Sequence, residues 1–173
     1  MAPSAPLAQI EFARTLSRDG EHERAVSLAR QAIAVAEDGD ELILSRAVAI
    51  GKAAEDWPFV QDCLQKAHRA NPDDLNVMRA LGFNGLCLRS FGDAIGWYRR
   101  CLDVDADDEL ALSGHGWAHL QTGQLERAQE DYARLVERHP DSQEYAYFLS
   151  LARRETPESQ PVSLVMRNVE SYA

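Results

Sequence analysis

The chain has 173 residues, 45% of them hydrophobic, which suits one domain with enough apolar content to bury a continuous core. Its 18 Lys and Arg against 28 Asp and Glu give a net charge of −10, which repels phosphate backbones and anionic lipid and argues against nucleic acid or a membrane surface as partner. Cys63, Cys87 and Cys101 are odd in number and lack C-x-x-C spacing, so neither a disulfide framework nor a zinc knuckle is indicated and a reducing, cytoplasmic setting is expected.

The N-terminal Met-Ala-Pro-Ser-Ala-Pro has no basic segment followed by an apolar one, and no run is long enough to span a bilayer. Residues 1–5 read as a short leader. From Leu7 to Arg18 the apolar residues fall mostly at helical spacing, and Asp19-Gly20 stops that helix. A second helix runs from Glu21 to Glu37, and Asp38-Gly39-Asp40 closes the pair. Glu41 to Ala54 is a third. Trp57-Pro58 opens its partner, where a first-turn proline is tolerated because that amide has no intrahelical acceptor. Asn71-Pro72 ends this helix, and Asp73 or Asp74 can cap the next. Two further pairs follow, Leu75 to Leu88 with Phe91 to Val104, and Glu109 to Gln121 with Leu125 to Arg138. A ninth helix, Ser142 to Arg154, has no partner and reads as a cap.

The last two pairs repeat at a constant offset of 34 residues: Gly82 recurs as Gly116, Ala94 as Ala128, Tyr98 as Tyr132, and Asp73-Asp74 as Asp107-Asp108. A plain antiparallel bundle needs no such identity, whereas a stacked helical repeat does. Small residues stand where two helices must touch, and Tyr98 and Tyr132 are expected to fill the space beside them.

With these residues in hand, the chain resembles the tetratricopeptide repeat (TPR) family. The third unit carries Met78, Leu81-Gly82, Phe91, Ala94 and Tyr98, and the fourth Leu112, Gly116, Leu125, Ala128, Tyr132 and Pro140. The second keeps Leu44, Trp57, Leu64 and Pro72 but has Val48 in place of the glycine and Val60 in place of the alanine, and the first lacks the closing proline. The resemblance implies an all-α fold, a right-handed superhelix of four antiparallel helix pairs plus a C-terminal capping helix, forming one domain over 6–155. It also implies that the first helix of each pair lines a concave groove.

Residues one period apart then form rows: Ser45, Arg79, Ser113 and Tyr147; Ala49, Phe83, Trp117 and Leu151; Lys52, Leu86, Leu120 and Arg154; in the first unit, offset by one extra residue, the matching places are Ile10, Arg14 and Ser17 in turn. An acidic protein thus sets Arg14, Lys52, Arg79 and Arg154 beside Phe83 and Trp117, with hardly an acid among them. Such a wall suits an extended, acidic, partly apolar peptide or a helix bearing such a face. It equally suits half-buried aromatics covered by arginine stems. The carboxylate clamp of chaperone-binding relatives needs Lys and Asn where this chain has Ile10 and Arg14, so a clamp is not expected.

Chemistry is sparse. His115 and His119 stand at i, i+4, the spacing of two metal ligands, but no Glu follows the first and no third ligand lies in register. They read as structural histidines, and no metal or other cofactor is expected. Gly82, Gly85 and Gly92 are followed by no Gly-Lys-Ser/Thr and preceded by no strand, which removes a phosphate loop. Carboxylates cluster at helix starts, where capping and the helix dipole account for them, and no nucleophile motif is present. An enzyme is not expected within these residues.

Residues 156–173 read as a Pro/Ser linker and a short amphipathic helix formed by Val162, Val165, Met166 and Val169. That helix suits a further cap, insertion into a second copy to form a homodimer, or the opening of another domain. Its junction is similar to the one preceding the catalytic domain in some repeat-containing bacterial methyltransferases. The expected function is a non-catalytic adaptor holding a protein or peptide segment in the groove, with the repeat region of a larger S-adenosylmethionine-dependent methyltransferase and a bacterial secretion chaperone as alternatives.

Overall fold

The computed structural model describes residues 5–37 and 39–154. Among the described residues there are nine helices and no strand: α1 (Pro6–Arg18), α2 (His22–Val35), α3 (Glu41–Ala53), α4 (Trp57–Ala70), α5 (Leu75–Cys87), α6 (Phe91–Val104), α7 (Glu109–Gln121), α8 (Leu125–Arg138) and α9 (Gln143–Ala152). The expected boundaries hold to within about two residues. The leader, apart from Ala5, and the expected linker and helix over 156–173 lie outside the described residues. The helices divide between two compact units, with the division between Val77 and Met78.

The period is sharper in the backbone than in the side chains. Asp40, Asp74, Asp108 and Ser142 stand 34 residues apart, and each side chain accepts from an amide in the first turn of α3, α5, α7 or α9 (Ile43 N 3.2 Å, Val77 N 3.3 Å, Ala111 N 3.0 Å, Tyr145 N 3.3 Å). These caps satisfy donors that the helix itself leaves open. At the other end of each first helix the chain turns through a left-handed residue, Gly20 (φ 82°), Glu55 (53°), Arg89 (57°), Gly123 (72°) or Arg154 (57°). After the first four corners the next amide donates to a carbonyl five residues back: Glu21 to Leu16 (2.9 Å), Asp56 to Gly51 (2.9 Å), Ser90 to Gly85 (2.8 Å) and Gln124 to His119 (2.9 Å). This is the Schellman closure. With only three residues between the two helices of a pair, they must run back against one another.

In the first unit the pairs α1/α2 and α3/α4 share a core of Ile10, Ala13 and Leu16, Ala25, Ala29 and Ala32, Ile43, Leu44, Ala47 and Ile50, and Phe59 and Cys63. The departure from pattern at Val60 has a steric explanation. A Cβ built on Gly51 would lie 2.7 Å from Val60 Cγ2, so the bulkier valine occupies room that Gly51 leaves. One period on, Gly85 faces Ala94 in the same way, with a virtual Cβ 3.1 Å from Ala94 Cβ.

In the second unit Tyr98 of α6 is fully buried between Gly82 of α5 and Gly114 of α7, where an added Cβ would come within 2.7 Å and 2.3 Å of its ring. Tyr132 of α8 presses on Gly116 in turn (2.8 Å) and donates its hydroxyl to the Ser113 carbonyl at 3.2 Å. Ala94 and Ala128 are both 0% exposed. Ala128→Leu should therefore force α8 away from α7 and cost about 1–3 kcal/mol, with Ala94→Leu behaving alike at α5/α6. Urea midpoints by circular dichroism measure this, and an unchanged midpoint in either variant would contradict the packing.

Candidate functional site

In the first unit Arg14 is half-buried on α1, and its Nη1 donates to the Glu11 carboxylate at 3.0 Å and 3.3 Å. Glu11 also pairs with Arg46 of α3. Ser45 is exposed, with its hydroxyl turned back to the Leu42 carbonyl at 3.2 Å, and Lys52 is half-buried near the end of α3. The expected basic wall is thus already supplied with acid at Arg14.

The second unit shows the same neutralisation more strongly. Arg79 Nε and Nη2 both lie 2.5 Å from Asp108 Oδ2, on a carboxylate whose side chain is 2% exposed and which also caps α7. Asp108 was legible as a cap, but nothing in the local spacing pointed to Arg79. Phe83 and Ser113 are each 5% exposed, so they are packing residues here and Phe83 is not an open aromatic. Arg154 also departs from its row. Helix α9 ends at Ala152, and Arg154 falls in a left-handed corner beyond it.

Trp117 and Tyr147 of the expected set share a neighbour. Both are half-buried, and both meet the buried Phe148 edge-on, at ring-centroid distances of 5.5 Å and 5.4 Å. Phe148 in turn stacks on Tyr132 at 5.2 Å. Leu120 and Leu151 flank them, partly exposed. The result is an aromatic surface on α7 and α9, anchored from below by a ring in the core.

A separate polar cluster lies between α7 and α8. His115 and His119 face each other with Nε2 atoms 3.2 Å apart and rings nearly perpendicular (82°), and His115 Nδ1 lies 2.8 Å from Asp131 Oδ2 of α8. His119 is 0% exposed. The third group that α7 lacks in its own register is thus contributed by the neighbouring helix. Its sign in the sequence is an acid 16 residues after His115, which only the pairing of α7 with α8 makes meaningful.

No family model matches the chain. Tetratricopeptide repeat protein 21A of Mus musculus is 24% identical over 179 residues, an alignment that takes in 95% of this chain and 14% of that protein. The chain therefore spans a small part of the curated relative it matches. Among solved structures, that of YrrB, "a TPR protein with an unusual peptide-binding site", superposes with a TM-score of 0.66 at 21% identity, over 95% of this chain and 84% of that one. The MamA RS-1 ArsTM double mutant superposes with a TM-score of 0.71 at 14% identity, over 99% of this chain and 96% of that one. The chain has the tetratricopeptide-repeat fold.

Within this TPR fold the two buried thiols are quiet. Burial pushes Cys63 up to about 12 and Cys101 up to about 11, so neither supplies a thiolate near neutral pH. No helix among the described residues is long and apolar enough to cross a membrane.

Burial and then the neighbouring His115 bring the His119 imidazole down to about 4, with Asp131 and Gln124 opposing the shift and Arg127 adding to it. Since the unfolded chain protonates an ordinary histidine near 6.5 and the folded chain resists protonation, stability is full above that pH and falls as pH drops towards 4. The TPR fold should lose about 2 kcal/mol from this source by pH 5. Urea titrations at pH 7 and pH 5 measure it, and His119→Gln should lose that much less than the wild type over the same interval. An equal loss in both proteins would refute the assignment.

Proposed function

We propose that the chain is a non-catalytic cytoplasmic adaptor that binds a protein or an extended peptide segment on its first-helix face. The observation that carries this reading is the half-exposed aromatic pair Trp117 and Tyr147 on α7 and α9, seated on buried Phe148. Rigid aromatics that lose little entropy on docking are what binding hot spots are made of. Support also comes from YrrB, a protein of this fold with a peptide-binding site.

The chemistry favours an apolar or aromatic side chain in the bound segment over a strongly acidic one. Arg79 is occupied by Asp108 and Arg14 by Glu11, so two of the four expected cations are already neutralised. Arg79→Glu would set two carboxylates against each other in a buried place and belongs among stability variants. The binding test is Trp117→Ala and Tyr147→Ala.

Peptides selected from a random display library against the whole chain would be measured by fluorescence anisotropy. Each substitution should weaken the selected binders about 10-fold or more, corresponding to at least about 1.4 kcal/mol, while the helical circular dichroism is retained. Binding that is unchanged in both folded variants would place the site elsewhere.

A further inference from the structure

The pair formed by His115 and His119 is arranged as metal ligands are. Both side chains come from one face of α7, a turn apart, and their Nε2 atoms are 3.2 Å apart. Two imidazole nitrogens bound to one tetrahedral zinc at 2.0–2.1 Å would be separated by about 3.4 Å. The atoms therefore need to move only a little to share an ion.

The third residue fixes the proton. An ionised carboxylate only accepts, so His115 Nδ1–H donates to Asp131 Oδ2 at 2.8 Å. In the neutral ring this leaves the lone pair on His115 Nε2, aimed at His119. Without an ion, His119 Nε2–H must donate into it. With the His119 proton moved to Nδ1, both Nε2 atoms carry a lone pair, and an ion bound to the two, set off the line between them, replaces the hydrogen bond. A carboxylate behind a ligating imidazole is the usual support of a metal-bound histidine.

We propose that His115 and His119, oriented by Asp131, form a site for one late first-row divalent metal ion, zinc foremost. Ligand atoms of the three residues all lie within 4.8 Å of one another. Imidazole suits zinc, copper and nickel, and it does not suit magnesium or calcium. A cavity of about 290 Å³ adjoins His115 and Asp131, lined also by Ile95, Arg99, Arg127 and Glu130. It brings solvent-sized space up to His115, and Glu130 and Asp131 balance the two arginines in charge. Since the ligands sit on α7 and their support on α8, the ion would stiffen that helix pair.

The test is isothermal titration of the chelator-treated whole chain with Zn2+, in parallel with Co2+ to read ligand-field bands in the visible. One ion per chain is expected, with a rise in melting temperature at saturation. His115→Gln and His119→Gln should abolish it, Asp131→Asn should weaken it 10–100-fold, and His22→Gln/His68→Gln/His139→Gln should leave it unchanged. X-ray absorption at the zinc edge of the wild-type complex should show two imidazoles, which keeps the question open to measurement even if a histidine variant fails to fold. Absence of saturable binding, binding that survives in the His115→Gln/His119→Gln double variant, or a zinc edge without imidazole would overturn the proposal.

Discussion

Tyr98→Ala is expected to cost about 3–5 kcal/mol, the range for removing a fully buried aromatic side chain. The ring is 0% exposed and is held between the backbones of Gly82 and Gly114. Neighbours often collapse into a vacated site and recover part of the loss. Here the nearest walls are glycines, which have no side chain to move, so the cavity should persist and the cost should lie in the upper part of the range. Tyr98→Phe keeps the wedge and should retain most of the stability. Urea denaturation of the three proteins decides the matter, and a loss under about 1 kcal/mol in Tyr98→Ala would mean that the ring is not the key of α5, α6 and α7.

Asp108→Ala should cost about 2–3 kcal/mol. One carboxylate caps α7 through Ala111 N at 3.0 Å and receives Arg79 at 2.5 Å while its side chain is 2% exposed. Loss of a cap alone costs about 0.5–2 kcal/mol, and a guanidinium deprived of a buried partner adds to that. The Arg79 side chain is 25% exposed, so water recovers part of the penalty. Asp108→Asn keeps an acceptor for the cap and removes only the charge, so it should fall between wild type and alanine. Its deficit should survive added salt, which screens exposed pairs far better than buried ones. A deficit that vanishes in salt would show that the pair is effectively at the surface.

Much of this was legible in the sequence, for identifiable reasons. The positions of Gly82, Gly116, Ala94 and Ala128 encode where helix axes approach, because only small residues allow it, and the structure places them at those contacts. Helix ends were legible because Asp40, Asp108 and Pro58 act through their own first turn. The candidate site was less legible. Spacing on one helix tells which face a residue occupies but not what faces it from another helix. Arg79 therefore read as a free cation until Asp108, 29 residues on, closed over it. His115 and His119 likewise lacked a third group until Asp131 came from α8. Gly114 lies outside the repeat motif, and only the pairing of α6 with α7 shows that it makes the closer approach to Tyr98. One period on from Leu120 stands Arg154, but α9 ends at Ala152, short of that place.

The corner between paired helices is made by one left-handed residue and one main-chain hydrogen bond, and at Glu55 and Arg89 it forms without glycine. With Asp40, Asp74 or Asp108 at its head, a 34-residue cassette carries its own first-helix cap and its own corner closure. Such a cassette can be duplicated or excised by a genetic event without leaving a severed backbone group behind. The number of cassettes is then a more readily evolved property than the identity of nearly any letter inside them.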